Sequence, residues 1–116
     1  MKKKKVLSEN YLEKIPTKNL DIEWKTDENG AVTLEIENKG VFNKIAQKLF
    51  KRPKISYIHL DELGSFVWQK IDGEKTILDI GKEVEEQFKD TANPLYERLA
   101  EYFRILDSYG FIKWKQ

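Results

Sequence analysis

The stretch from Lys54 to Gly73, KISYIHLDELGSFVWQKIDG, constrains the fold more than any other part of the chain. Ile55 to Leu60 sets apolar residues among polar or amphipathic ones and is rich in β-branched and aromatic side chains, which reads as a short strand. Asp61 stops it. Leu63, Phe66, Val67 and Ile71 then recur at the spacing of one helix face, and an aspartate placed just ahead can accept the free N–H groups of the first turn. Asp72-Gly73 closes the unit with turn chemistry.

The remaining elements are placed around this unit. A polar lead with Tyr11, Leu12 and Ile15 runs to Pro16 and is expected to lie across the surface or to be mobile. Leu20, Ile22 and Trp24 alternate with Asp21, Glu23 and Lys25, and after Asn29-Gly30 the residues Val32, Leu34 and Ile36 alternate with Thr33, Glu35 and Glu37. Two period-2 runs around Asn-Gly predict a hairpin, because that dipeptide tolerates the positive φ of a tight turn. Phe42, Ile45, Ala46, Leu49 and Phe50 give one apolar face to a short helix over Val41 to Phe50, ended by Arg52-Pro53.

Beyond Gly73, Thr76 and Asp79 have the spacing of a capping box, with Ile77, Ile80, Val84 and Phe88 as the buried stripe behind it. Asn93 as N-cap, Pro94 at the first helical position and Gly110 as the left-handed stop frame a last helix. Its stripe is Leu95, Leu99, Tyr102, Phe103 and Leu106, and Phe111 to Lys115 reads as a closing strand. Gly64 and Gly81 fall inside predicted helices, where close packing is the reason to keep a residue that costs about 1 kcal/mol against alanine. The sum is an α+β fold, a small sheet packed on a three-helix cluster, in one domain spanning residues 1–116.

Composition excludes several functions. The chain has no cysteine, so disulfides, thiolate zinc sites and thiol nucleophiles are absent. One histidine, His59, has no second ligand at metal spacing, and the carboxylates spread along solvated faces without pairing as acid and base. No glycine pattern cradles phosphate. A non-catalytic protein without cofactor or metal is expected. Twenty-one basic residues against 20 acidic ones leave a formal charge of +1, and the only dense basic run, Lys2 to Lys5, reads as a solvated start. Nothing resembles a signal peptide or approaches membrane-spanning length, so the cytoplasm is the default compartment.

Residues 59–112 carry a family resemblance. The run His59-Leu60-Asp61-Glu62-Leu63-Gly64-Ser65-Phe66-Val67-Trp68, with Ile71-Asp72-Gly73, Thr76-Ile77, Asp79-Ile80, Phe103, Leu106 and Gly110-Phe111-Ile112, resembles the coenzyme PQQ synthesis protein D (PqqD) family of precursor-peptide recognition elements. The resemblance implies a winged-helix-like domain with a three-stranded antiparallel sheet and three helices. Relative to it, Val41 to Lys51 inserts an extra helix between strands two and three, and Asp61 stands where the family commonly has asparagine.

The implied function is binding of the leader segment of a ribosomally made precursor peptide and its presentation to a modifying enzyme, for example a radical SAM maturase. The leader would add a strand along Ile55, Ser56, Tyr57, Ile58, His59 and Leu60, with Leu95, Leu99, Tyr102 and Phe103 as the groove wall. An open edge offers unpaired N–H and C=O groups to such a partner, and the chain's own N-terminus or a second copy competes for the same place. Which strand parity faces the peptide, and the oligomeric state, stay open. The alternatives are a winged-helix DNA binder and a structural adaptor. The first requires a basic recognition helix, and Glu97 and Glu101 offset Arg98 and Arg104 there.

Overall fold

The computed structural model describes residues 9–38 and 54–115. Along the chain these form α1 (Glu9–Leu12), β1 (Pro16–Lys18), β2 (Glu23–Thr26), β3 (Val32–Asn38), β4 (Lys54–His59), α2 (Glu62–Lys70), α3 (Ile77–Phe88), a 3-10 turn (Lys89–Ala92), α4 (Leu95–Ser108) and β5 (Ile112–Trp114). The helix expected over Val41 to Phe50 lies outside the described residues. The class is α+β, with three longer helices and two small antiparallel sheets, one ordered β2-β3-β4 and one made of β1 and β5.

The hairpin forms around Asn29-Gly30, though not as a two-residue turn. β2 and β3 pair from Thr26↔Val32 to Glu23↔Glu35. Asp27 organises the loop between them, its Oδ1 accepting the N–H groups of Asn29 (2.8 Å) and Ala31 (2.9 Å), while Gly30 takes φ 86°. An aspartate side chain that satisfies two loop donors makes a wider connection as favourable as a tight one. The first strand is also shorter than its alternation suggests. Asn19 accepts from the backbone N–H groups of Asp21 and Ile22 and turns the chain there, leaving Leu20 95 % exposed.

The helix boundaries follow their caps. Asp61 Oδ1 accepts Gly64 N–H at 2.7 Å, and Thr76 and Asp79 exchange both bonds of a capping box. Asp72 accepts the N–H groups of Glu74 and Lys75 in the turn between α2 and α3, which holds its carboxyl below the usual carboxylate range. At α4 the cap moves by one residue. Asn93 closes the 3-10 turn through its N–H to Asp90 O, Pro94 is the N-cap without a side-chain bond, and the helix begins at Leu95. Gly110, at φ 77°, ends it as expected.

The core lies between the β2-β3-β4 sheet and the three helices. Val32 and Leu34 of β3, Val67 and Trp68 of α2, Ile77, Ile80 and Val84 of α3, and Leu99 and Phe103 of α4 are all at most 1 % exposed. Each such side chain contributes about 1.5–3 kcal/mol through burial. Trp24 closes the sheet side, edge-on to Trp68 at 6.2 Å with the Lys18 ammonium 4.9 Å from its ring. Burial holds that lysine below its ordinary pKa, against the opposing pull of Asp72.

The N-terminal segment is docked from Tyr11 onward. Pro16 is fully buried at the start of β1, a position where a missing N–H is tolerated, and β1 pairs with β5 from Pro16↔Trp114 to Lys18↔Ile112. Tyr11 reaches Ala100 O with its hydroxyl, and burial pushes that phenol up to about 12. Lys14 O accepts the first free N–H of α3, from Ile77.

Candidate functional site

β4 is an outer strand of its sheet, pairing with β3 from Thr33↔His59 to Asn38↔Lys54. No described strand lies on its other side. The described N-terminal residues do not cover it, because β1 is committed to β5.

The parity of this edge follows from one bond. Leu60 N–H donates to Val32 O at 2.9 Å, so Leu60 faces β3. In an antiparallel ladder the N–H and C=O groups of alternate residues point to opposite sides. Ile58 and Ser56, opposite Leu34 and Ile36, therefore face β3 too, and the N–H and C=O of Ile55, Tyr57 and His59 point to the outer edge. The side chains divide the same way. Ile55 and Tyr57 are 42 % and 58 % exposed and His59 is exposed, with Thr33 Oγ1 2.9 Å from its Nδ1. Ile58 and Leu60 pack against the core.

Immediately beyond β4 an open groove of about 390 Å³ runs between the start of α2 and the face of α4. Its floor and walls are Leu63, Gly64 and Val67 from α2, and Leu99, Tyr102 and Ile105 from α4. Gly64 brings the two helices together. A Cβ there would stand 3.3 Å from the Tyr102 ring and 2.9 Å from Asp61 Oδ1. The Tyr102 hydroxyl donates to Gly64 O at 2.8 Å, and burial, reinforced by the Asp61 charge, pushes its pKa far up. Its oxygen is thus a fixed neutral donor, and the groove interior is apolar. The rim is charged, carrying Asp61, Glu97, Arg98 and Glu101.

Of the residues expected as the groove wall, Tyr102 and Leu99 line it. Leu99 is also 1 % exposed, while Leu95 at 8 % and Phe103 at 0 % belong to the core. Leu63, Ile105 and the buried Val67 line the groove as well. Ile105 is 44 % exposed, a surface apolar residue on a helix whose apolar stripe otherwise points inward. The helical Gly64 was the sequence signal for the close approach that shapes the groove.

The arginines of α4 have local partners. Arg98 Nη1 donates to Thr91 O at 3.0 Å, and Arg104 pairs with Glu101. Among the described residues no group of three or more histidine or carboxylate side chains is placed to hold a metal ion, and no helix is long and apolar enough to cross a membrane.

Comparison with curated proteins and with solved structures gave no significant match. The model of the family described as Coenzyme PQQ synthesis protein D matches residues 31–112, the span that holds β3, β4, the groove and the three longer helices, while β2 and the Asn29-Gly30 turn precede it. That match covers most of the sequence, and the chain belongs to the PqqD family.

Proposed function

We propose that this protein is a non-catalytic, cytoplasmic peptide-binding module with a winged-helix-like layout. It takes up the leader segment of a ribosomally made precursor peptide and presents it to a modifying enzyme. The observation that carries this reading is the outward-pointing N–H and C=O of Ile55, Tyr57 and His59, next to an apolar groove at the end of the same strand. An incoming strand satisfies those backbone groups whatever its sequence, and its alternate side chains reach the groove. Affinity and selectivity then reside in different atoms.

Parity makes the test sharp. Tyr57→Pro removes an outward N–H and obstructs the incoming strand, while the ladder to β3 stays whole. Ser56→Pro instead deletes an inward bond, and its effect belongs to stability. In calorimetry against a short peptide that the wild-type chain binds, Tyr57→Pro is expected to weaken binding about tenfold or more with an unchanged melt. Unchanged affinity in the folded variant removes the β4 edge as the binding site.

Nucleic acid is not a partner on this reading. The surface of α4 carries Glu97 and Glu101, and its arginines have local partners. Phosphate contact needs free cations on that face. A submicromolar, sequence-dependent gel shift at about 0.15 M salt would overturn this.

A further inference from the structure

The groove beside β4 has an apolar interior and an acidic mouth. Gly64, Val67 and Leu99 make a floor without a free hydrogen-bond donor, since the Tyr102 hydroxyl is spent on Gly64 O. The half-exposed Ile105 adds apolar surface at the open side. A polar side chain entering this space would lose its water without finding a partner, whereas a large apolar one loses nothing.

The charges at the mouth come from two elements. At the start of α2, Asp61 lines the groove and Glu62 is exposed next to it. From α4 come Glu97, Arg98 and Glu101, with Arg104 one turn on. Among the lining groups three carboxylates face one guanidinium, a net of two negative charges. The cations are also turned to other tasks, Arg98 to Thr91 O and Arg104 to Glu101. Asp61 and Glu97 are left without an ion pair among the described residues. The field of Asp61 reaches the groove, because it helps to raise the Tyr102 pKa.

We propose that the groove selects leader segments in which a large apolar side chain, filling the space between α2 and α4, is flanked by lysine or arginine. The proposal rests on strand addition at β4 and names the substrate class that this site accepts. Cations beside the apolar anchor meet Asp61 and Glu97 at the mouth, and acidic flanks are repelled by the same two groups. Exposed pairs of this kind are individually weak, so two together supply a preference of about tenfold. Being partly solvated, that preference fades as salt rises.

The test uses the full chain and ten-residue synthetic peptides of strand-forming Thr/Val background. One series has a central Phe flanked by Lys, a second has Phe flanked by Glu, and a third has Ala flanked by Lys. Asp61→Asn is the informative variant, because a carboxamide oxygen still accepts the Gly64 N–H and preserves the cap. Glu97→Gln is added to it, and both proteins are checked by thermal melts. The expected result by calorimetry is that the Phe–Lys peptide binds about tenfold tighter than the Phe–Glu peptide, and tighter than the Ala–Lys one. In Asp61→Asn/Glu97→Gln the Lys-over-Glu ratio drops below about threefold. Equal affinity for the Lys and Glu peptides overturns the charge selection, and strand addition survives that result if Tyr57→Pro still weakens both. A preference that persists in the double variant also overturns the proposal, since the selecting charges would lie elsewhere. Binding that keeps its charge preference but ignores Tyr57→Pro rejects strand addition and leaves the groove. Absence of binding by all three peptides overturns the proposal.

Discussion

Gly81 sits in the middle of α3, where a glycine is about 1 kcal/mol worse than alanine by propensity. Packing reverses that ranking. A Cβ at Gly81 would stand 2.6 Å from the Tyr96 ring and 3.1 Å from a methyl of the buried Leu99, so α4 crosses α3 over a missing side chain. Gly81→Ala is therefore expected to destabilise by about 1–2 kcal/mol, the overpacking cost exceeding the helix gain. In a Tyr96→Ala background, Gly81→Ala should cost much less in urea melts, since the ring is the closest obstacle. A stabilising Gly81→Ala would show that the ring moves aside freely. The same reasoning separates the two kinds of residue on α4. Leu95, Leu99 and Phe103 hold the core, so truncating them reads stability, whereas Ile105 and the charged rim can be changed to read binding.

Between elements, Glu83 of α3 is the clearest polar link. It is bonded by Lys75 at 2.7 Å and Lys70 at 3.3 Å, tying the end of α2 and the following turn to α3. The Lys75 bond, helped by Lys70, holds the Glu83 carboxyl below its ordinary 4.5. A depressed folded pKa means that the stabilisation is complete above 4.5 and is lost as pH falls through the lower, folded value. All three side chains are about a third exposed, which limits the effect to about 0.5 kcal/mol. Glu83→Gln should cost that much at pH 7 and progressively less as the pH falls below 4.5. A cost that stays constant as the pH falls in urea melts would assign it to packing. The sequence made many of these elements legible because their signals are local. Asp61, Thr76 with Asp79, and Gly110 act within one turn of the helix they start or stop. β1 was not legible, since three residues beginning with proline carry no period. Of the groove, Leu99 and Tyr102 were named through the family resemblance and Gly64 marked the close approach, whereas the rim was not legible, because Asp61, Glu97 and Glu101 are scattered in sequence and meet through the packing of α2 on α4.

At the scale of the whole molecule, the segment ahead of β2 acts as a strap. Tyr11 bonds α4, Lys14 O receives the first N–H of α3, the Lys18 ammonium donates to Ile71 O at the end of α2, and Asn19 donates to Gly110 O. The family match begins at residue 31, after this strap. A chain shortened to begin at Asn19 should lose about 3 kcal/mol or more, from the exposed partners of Pro16, Tyr11 and Leu12 alone. A loss below about 1 kcal/mol in urea would make the strap an ornament of the surface. The pairing that fastens it has another consequence. Pro16 lies opposite Trp114, and Lys115 N–H reaches Ile15 O at 2.8 Å, so two stretches far apart in sequence clasp each other, and loosening either one frees both.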